Sequence, residues 1–518
     1  MAGSSPGRRI DQNDTNNHNG ESVAHTSYFE SFSIPFIFQP QHLVHNLSSS
    51  SSYYTPYLQQ SSNDATKQSR LYQGLFISRR MSALIATYFV RGIKRRHVYL
   101  LLFTAILFCW IWLSTVRAYA VLGKYKVKNY LYDAGLLSCS LRKEPIIYVL
   151  DTYNVVAVWE SNCMMENVKL RWYRESNAVH VIHEMPDSII PTVIDDNHYV
   201  YKATIGPLRN VDTYRYEITY SKNNDNIILV AQYSFPFFPS IPPSNKTRQG
   251  RKLAKHNLSY PINILAFADN QFGLRVFNEL VESAVARHKQ PHYILHAGDA
   301  VQEYKNLQQW QTDFYDPLTA SYLGQQAPLI YAHGNHDYDP DLKYTYTGKA
   351  LWYSFKMANS RWIVLDSNMD DMKQDEWLEN ELASAESQSA DFRVVVVHIP
   401  PFLEYWDPDS WHEKGEKHWG EFVRTRFVPL FRKYKVDLVI SGHQHNYQRG
   451  DRDGVTYAII GGAGGSLDYD RVENYELYVA GDKKHHYVLM ELWPKKIVCS
   501  AYSLDGMLFD KFVIRSRV

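Results

Sequence analysis

Apolar and polar positions change their period three times along the chain. Residues 98–116 run for 19 positions without a charge, from Val98 through Trp110 to Val116. As a helix this stretch would rise about 28 Å, close to the hydrocarbon thickness of a bilayer. From 143 to 237 the pattern alternates with period two. Val168, Leu170 and Trp172 share one face, and Tyr214, Tyr216 and Ile218 another. Polar clusters such as Asn223–Asn226 separate these runs, so an antiparallel β-sandwich is expected there. From 261 onward, short apolar runs alternate with helical periodicity. Strands are predicted at 262–268, 293–297, 329–332, 362–365, 394–397 and 438–440, and helices at 275–288, 373–386 and 419–434. Strands alternating with helices give an α/β sandwich. After 454 the chain returns to strands, at 455–460, 486–492, 497–502 and 508–513.

These periods divide the chain into a tail (1–97), a transmembrane signal anchor (98–116), a β-sandwich (143–237), a linker (238–260) and a catalytic α/β domain (261–518). The fold class is α/β, preceded by an all-β module and a single membrane helix. The tail is rich in Ser, Asn, Gln and Tyr, includes the run Ser48–Ser52, and is read as disordered. It holds ten Lys/Arg against five Asp/Glu. Arg91, Lys94, Arg95 and Arg96 sit just before the apolar helix. By the positive-inside rule they place the N-terminus in the cytoplasm and the remainder in a lumen or outside the cell. The sequons at Asn245 and Asn257 would then face the glycosylating side.

Overall composition narrows the function classes. The net charge of the 518 residues is +1, so no nucleic-acid partner is implied, and no feature names a protein partner. Four cysteines are too few for a disulfide scaffold and lack zinc-finger spacing. Cys139 and Cys163 either pair in an oxidising compartment or remain buried thiols.

Candidate chemistry lies where the apolar runs end. Asp269, Asp299, Asn335, His398, His443 and His445 each follow such a run, and the ends of strands are where open α/β sheets build their sites. A carboxylate shared between two cations about 3.5–4 Å apart, with imidazole and carboxamide donors around it, is the arrangement of a two-metal hydrolase. Mixed oxygen and nitrogen donors suit Mn, Fe or Zn. His443 and His445 are two apart and point the same way on an extended strand end.

The series Asp269, Gly298-Asp299, Gly334-Asn335-His336-Asp337, Val397-His398 and Gly442-His443-Gln444-His445 resembles the calcineurin-like metallophosphoesterases. Tyr353-Ser354-Phe355, Ile363–Asp366, Glu376-Trp377-Leu378 and His445–Arg449 resemble the purple acid phosphatase branch, and Leu208–Tyr216 resembles a fibronectin type III-like module. The resemblance covers roughly 143–516. It implies that Asp299 bridges two divalent ions, that Asn335, His398 and His443 complete one site, and that Asp269 and His445 belong to the other. It further implies that a metal-bound hydroxide attacks a phosphate ester, that His336 serves the leaving oxygen, and that Asp337 supports His336. Two positions depart from the family pattern. Gln271 stands where many relatives have His, and Gln302 where the purple branch has Tyr, with Tyr304 two residues too late. Gln271 or Gln302 would then offer a carboxamide oxygen to the first metal. His412 and His418, in the aromatic loop 402–420, are candidates for substrate binding. A non-catalytic surface protein with a decayed phosphoesterase domain is the competing expectation, kept open by Gln271 and Gln302.

Overall fold

The computed structural model describes residues 99–109, 127, 130–132 and 134–517, except 177–180, 186, 223–225, 289–290, 340–343, 346–350 and 408–419. The tail 1–97, His412 and His418 therefore lie outside the described residues. Of the predicted anchor, 99–109 is helical, and 98 and 110–116 lie outside them. Among the described residues no helix is long and apolar enough to cross a membrane.

The alternating segment forms β1 (Leu141–Val149), β2 (Val155–Ser161), β3 (Lys169–Arg174), β4 (His183–Glu184), β5 (Thr192–Asp195), β6 (His198–Ile205), β7 (Asp212–Lys222) and β8 (Asn226–Phe237). They make two antiparallel layers, β1-β2-β6-β5 and β4-β3-β7-β8. Period-two patterning turns Trp159, Tyr201, Leu170 and Tyr216 inward to one core. Cys139 and Cys163 are disulfide-bonded, with Cα atoms 5.4 Å apart.

The α/β part begins with three parallel strands, β9 (Ile262–Phe267), β10 (Tyr293–His296) and β11 (Leu329–Tyr331). A second sheet holds β12 (Tyr353–Met357), β13 (Ser360–Leu365), β14 (Phe392–Val397), β15 (Leu438–Ser441), β16 (Tyr447–Arg452), β17 (Val455–Ile460) and β18 (Tyr478–Asp482), in the order β12-β13-β14-β15-β17-β16-β18. The last strands, β19 (His486–Trp493), β20 (Lys496–Ser503) and β21 (Leu508–Arg515), return to the first sheet beside β9. Alternation assigns each side chain to a layer. Ile264, Ala266 and Ala268 pack between the sheets with Val394, Val396 and Ile440. Leu265 and Phe267 face the helix Leu274–Arg287 on the outer side. Val395 and Val397 do the same towards the helix Met372–Ala383 and the helical segment 421–433.

Two boundaries differ from the sequence reading. The predicted linker carries a helix, Arg248–Lys255, capped by the Thr247 side chain on Gly250 N and burying Leu253. Its polar composition hid it. The sandwich is also not separate from the α/β part: Tyr148 of β1 pairs with Leu329 of β11, so one ten-stranded sheet runs through both. Their apolar cores are likewise continuous.

Candidate metal centre

The C-terminal ends of β9, β10 and β11 meet those of β14 and β15 across the interface between the sheets. Every predicted ligand lies just past one of these five ends. The approach is so close that only glycine fits at two points. A Cβ on Gly334 would stand 2.0 Å from Asp299 Oδ1, and one on Gly442 would stand 2.4 Å from Asp269 Oδ2. Asp269, Asp299 and His443 all hold positive φ, at 61°, 56° and 66°. Such backbone is unfavourable for these residues and is retained where a site demands it.

Donor atoms of Asp299, His398 and His443 lie within 4.8 Å of one another. Asn335 Oδ1 joins them, 3.0 Å from His398 Nε2 and 2.9 Å from His443 Nδ1. On the other side, Asp269 accepts the His443 N–H on both oxygens, at 2.8 and 2.9 Å, and stands 3.7 Å from His445 Nε2. Two ring orientations are fixed by backbone carbonyls. His398 Nδ1–H donates to Ala297 O at 2.8 Å and His445 Nδ1–H to Ser466 O at 2.7 Å. Each Nε2 is thereby turned towards the centre, the tautomer a metal ligand needs.

The electrostatics call for added positive charge. Burial pushes the Asp269 carboxyl up to about 7. Burial also opposes charge on Asp299, but the His398 and His336 imidazoles outweigh it and hold this carboxyl well below its ordinary value. Burial alone would lower His398; Asp299, 3.4 Å away, instead raises it to about 9. The Asp299 charge thus favours a cation beside it, the place a divalent ion held by Asn335, His398 and His443 would take. Two carboxylates, a carboxamide and three imidazoles, all buried or nearly so, fit Mn, Fe or Zn.

Asp337 holds the turn that carries Asn335 and His336. Its carboxylate accepts from Gly334 N at 2.6 Å, from Ala300 N at 2.7 Å and from the Tyr331 hydroxyl. Burial, then the Asp299 charge, pushes it up to about 6. His336 N–H donates to Asp299 Oδ1 at 3.0 Å, and its Nδ1–H to Gln302 O at 3.1 Å. Gln302 thus forms part of the wall holding His336. The Tyr304 ring packs on the cluster around Trp310, beneath Lys305. Gln271 is buried at the first site, its Nε2 3.1 Å from Asp299 Oδ2 and 3.2 Å from His445 Nε2. His296 and His333 bond to Asn270 and Thr345, outside the donor set.

Two contributors were not legible in the sequence. Trp406 lies on His443, ring centroids 4.4 Å apart, and only the aromatic character of its loop hinted at it. Asp468 accepts the His445 N–H at 2.7 Å from a stretch with no periodicity. The glycine run 461–465 passes beneath the site, with Gly465 N bonded to Asp269 O at 2.8 Å.

Residues 262–447 match the family model for calcineurin-like phosphoesterases. Purple acid phosphatase 1 of Ipomoea batatas is 33% identical over 158 residues, 26% of this chain and 31% of that protein. Fe(3+)-Zn(2+) purple acid phosphatase 12 of Arabidopsis thaliana is 32% identical over 158 residues, 26% of this chain and 32% of its own length. The chain spans about a third of the length of these curated relatives. The structure of purple acid phosphatase PPD1 from yellow lupin seeds has the same fold, with a TM-score of 0.59 at 18% identity over 72% of this chain and 74% of that one.

Proposed function

Taking residues 262–447 as a calcineurin-like metallophosphoesterase domain, we propose that the protein is a membrane-anchored, binuclear phosphoesterase that hydrolyses phosphate esters. The observation that carries this reading is the convergence of Asp269, Asp299, Asn335, His398, His443 and His445 at one rim, with each ring tautomer set by a neighbouring carbonyl where one is present.

Asp299 would bridge, Asn335, His398 and His443 would hold one cation, and Asp269 and His445 the other. Two divalent ions there supply Lewis acidity to the phosphate and lower the pKa of the attacking water. The chain's own residues do the rest. His336, pinned through Nδ1–H to Gln302 O, presents Nε2 to the leaving oxygen and, as the imidazolium, would pass it the Nε2 proton. Asp337 fixes the turn that aims it. Trp406 covers His443 and limits water on that side. Hydrolysis of p-nitrophenyl phosphate and a diester, measured with the metal-stripped full chain and a panel of divalent ions, tests this. Absence of hydrolysis at full metal loading would favour a binding module instead.

The proposal extends to location. The helix 99–109 exposes Tyr99, Leu100, Phe103, Ile106 and Phe108, side chains suited to lipid. The Cys139–Cys163 bond fits an oxidising compartment. Asn245 is exposed and available for a glycan. The sandwich fits a fibronectin type III-like module, because Tyr214 at the start of β7 bonds back to Asn210 O at 3.1 Å, as a tyrosine corner does. Protection of the catalytic part from protease in sealed microsomes, with Asn245 glycosylated, supports this topology; digestion from the cytosolic side overturns it.

A further inference from the structure

The first metal site has only Asp269, Asp299 and His445 among the residues assigned above. We infer that Gln271 is its fourth protein ligand, binding through the carboxamide oxygen. This rests on the two-cation reading.

The backbone puts the side chain there firmly. Gln271 follows Asp269 in a turn closed by Gly273 N on Asn270 O at 2.9 Å, and Asn270 N and Gln271 N both donate to Asp299 O, at 3.1 and 3.3 Å. The side chain is 1% exposed. Its Nε2 faces two atoms, Asp299 Oδ2 and His445 Nε2, both lone-pair donors of the first site. Without a cation, an amide N–H₂ between two acceptors is the arrangement electrostatics selects. With a cation those lone pairs turn to the metal, and an N–H₂ group would point positive hydrogens at positive charge. Rotation of the amide by half a turn exchanges the atoms and presents Oε1 instead.

A second observation points the same way. Gln271 Oε1 is buried and has no hydrogen-bond partner among the described residues. Turning to a metal would give this oxygen the partner it lacks, while Nε2 moves into the position Oε1 leaves. Rotation breaks no bond on the Oε1 side. Gln302 offers no such case: its backbone carbonyl accepts from His336 and its backbone N–H donates to Gln309 Oε1 at 3.1 Å, whereas among the described residues the glutamine side chain bonded to Asp299 and His445 is that of Gln271.

The test is equilibrium dialysis of the full-length, metal-stripped protein in detergent against graded free Mn²⁺, with bound Mn counted by elemental analysis. Wild type should fill two sites in two steps. Gln271→Leu should shift the weaker step to at least about tenfold higher Mn²⁺, the scale of losing a supporting group at a metal site. The tighter step should stay in place, which also shows that the variant is folded. Gln271→Glu, with an anionic oxygen at the same reach, should tighten the weaker step. A weaker step unmoved or tightened in Gln271→Leu overturns the inference and leaves the two-cation reading standing. Fewer than two Mn²⁺ in wild type overturns that reading, and the inference with it.

Discussion

Asp337 separates a supporting role from a chemical one. Its two oxygens divide three donors: Gly334 N on Oδ1, and Ala300 N with the Tyr331 hydroxyl on Oδ2. Asp337→Asn keeps the shape but replaces one oxygen with N–H₂. In either orientation one buried backbone N–H then faces another N–H, and the Tyr331 hydroxyl can rotate to compensate where it is affected. One orphaned buried donor costs about 1–3 kcal/mol. For a domain of this size that lowers the thermal midpoint by roughly 2–10 °C. Asp337→Ala orphans both backbone donors, about 2–6 kcal/mol, and frees the turn that carries His336. Displacement of a reacting group by 1 Å can cost about 10²-fold, so turnover should fall by that order in Ala and by less than about tenfold in Asn. The assay pairs thermal unfolding by circular dichroism at pH 7.5 with kcat on p-nitrophenyl phosphate. An unchanged midpoint in Asp337→Asn, together with a 10²–10⁴-fold loss of kcat, would refute the supporting role and make Asp337 itself the proton-transfer group.

Three further outcomes follow. His336→Ala should lower turnover by about 10²–10⁴-fold with metal still bound, read by activity and elemental analysis of one sample; Asp299→Ala should lose metal as well. His292 is held neutral by burial, its pKa lowered from 6.5 to about 4, with Nε2–H on Asn257 O and Nδ1 accepting from Asn263 N. Its folded pKa is below the unfolded one, so its contribution is present above pH 6.5 and is lost as pH falls towards 4, about 3 kcal/mol in all. His292→Gln should therefore flatten the stability–pH curve between 6.5 and 4, and an unchanged slope in urea titrations would contradict this. The metal-loaded protein should be colourless, because Gln302 offers no phenolate and the Tyr304 ring is packed on the Trp310 cluster; a visible band abolished by Tyr304→Phe would show a tyrosinate ligand.

The parts of the fold written in periodicity were legible. β9, β10, β11, β14, β15 and β17 fall where apolar runs predicted them, because a buried strand needs such a run and a site needs its end. The convergence of the candidate donors was legible for the same reason, since each follows the end of such a strand. The strand Tyr447–Arg452 was not, since its sequence YQRGDR has no apolar alternation and its register comes from pairing with β17 and β18. The helical region after Asn306 was hidden by the π-turn Trp310–Tyr315, which slips the 3.6-residue period. A like slip at Val423–Phe427 did not hide the predicted helix 419–434, whose apolar face continues on both sides of it. Which glutamine lies against Asp299 and His445 is a matter of backbone turns, and spacing alone left Gln271 and Gln302 equivalent.

If two cations act together on the phosphate ester, activity should follow the second ion. Divalent metal is titrated into the stripped full-length protein while bound metal and p-nitrophenyl phosphate hydrolysis are followed in the same tube. Turnover should rise with the second equivalent and level off at two bound ions per chain. Full turnover with one ion or none, or two bound ions without hydrolysis, would contradict it.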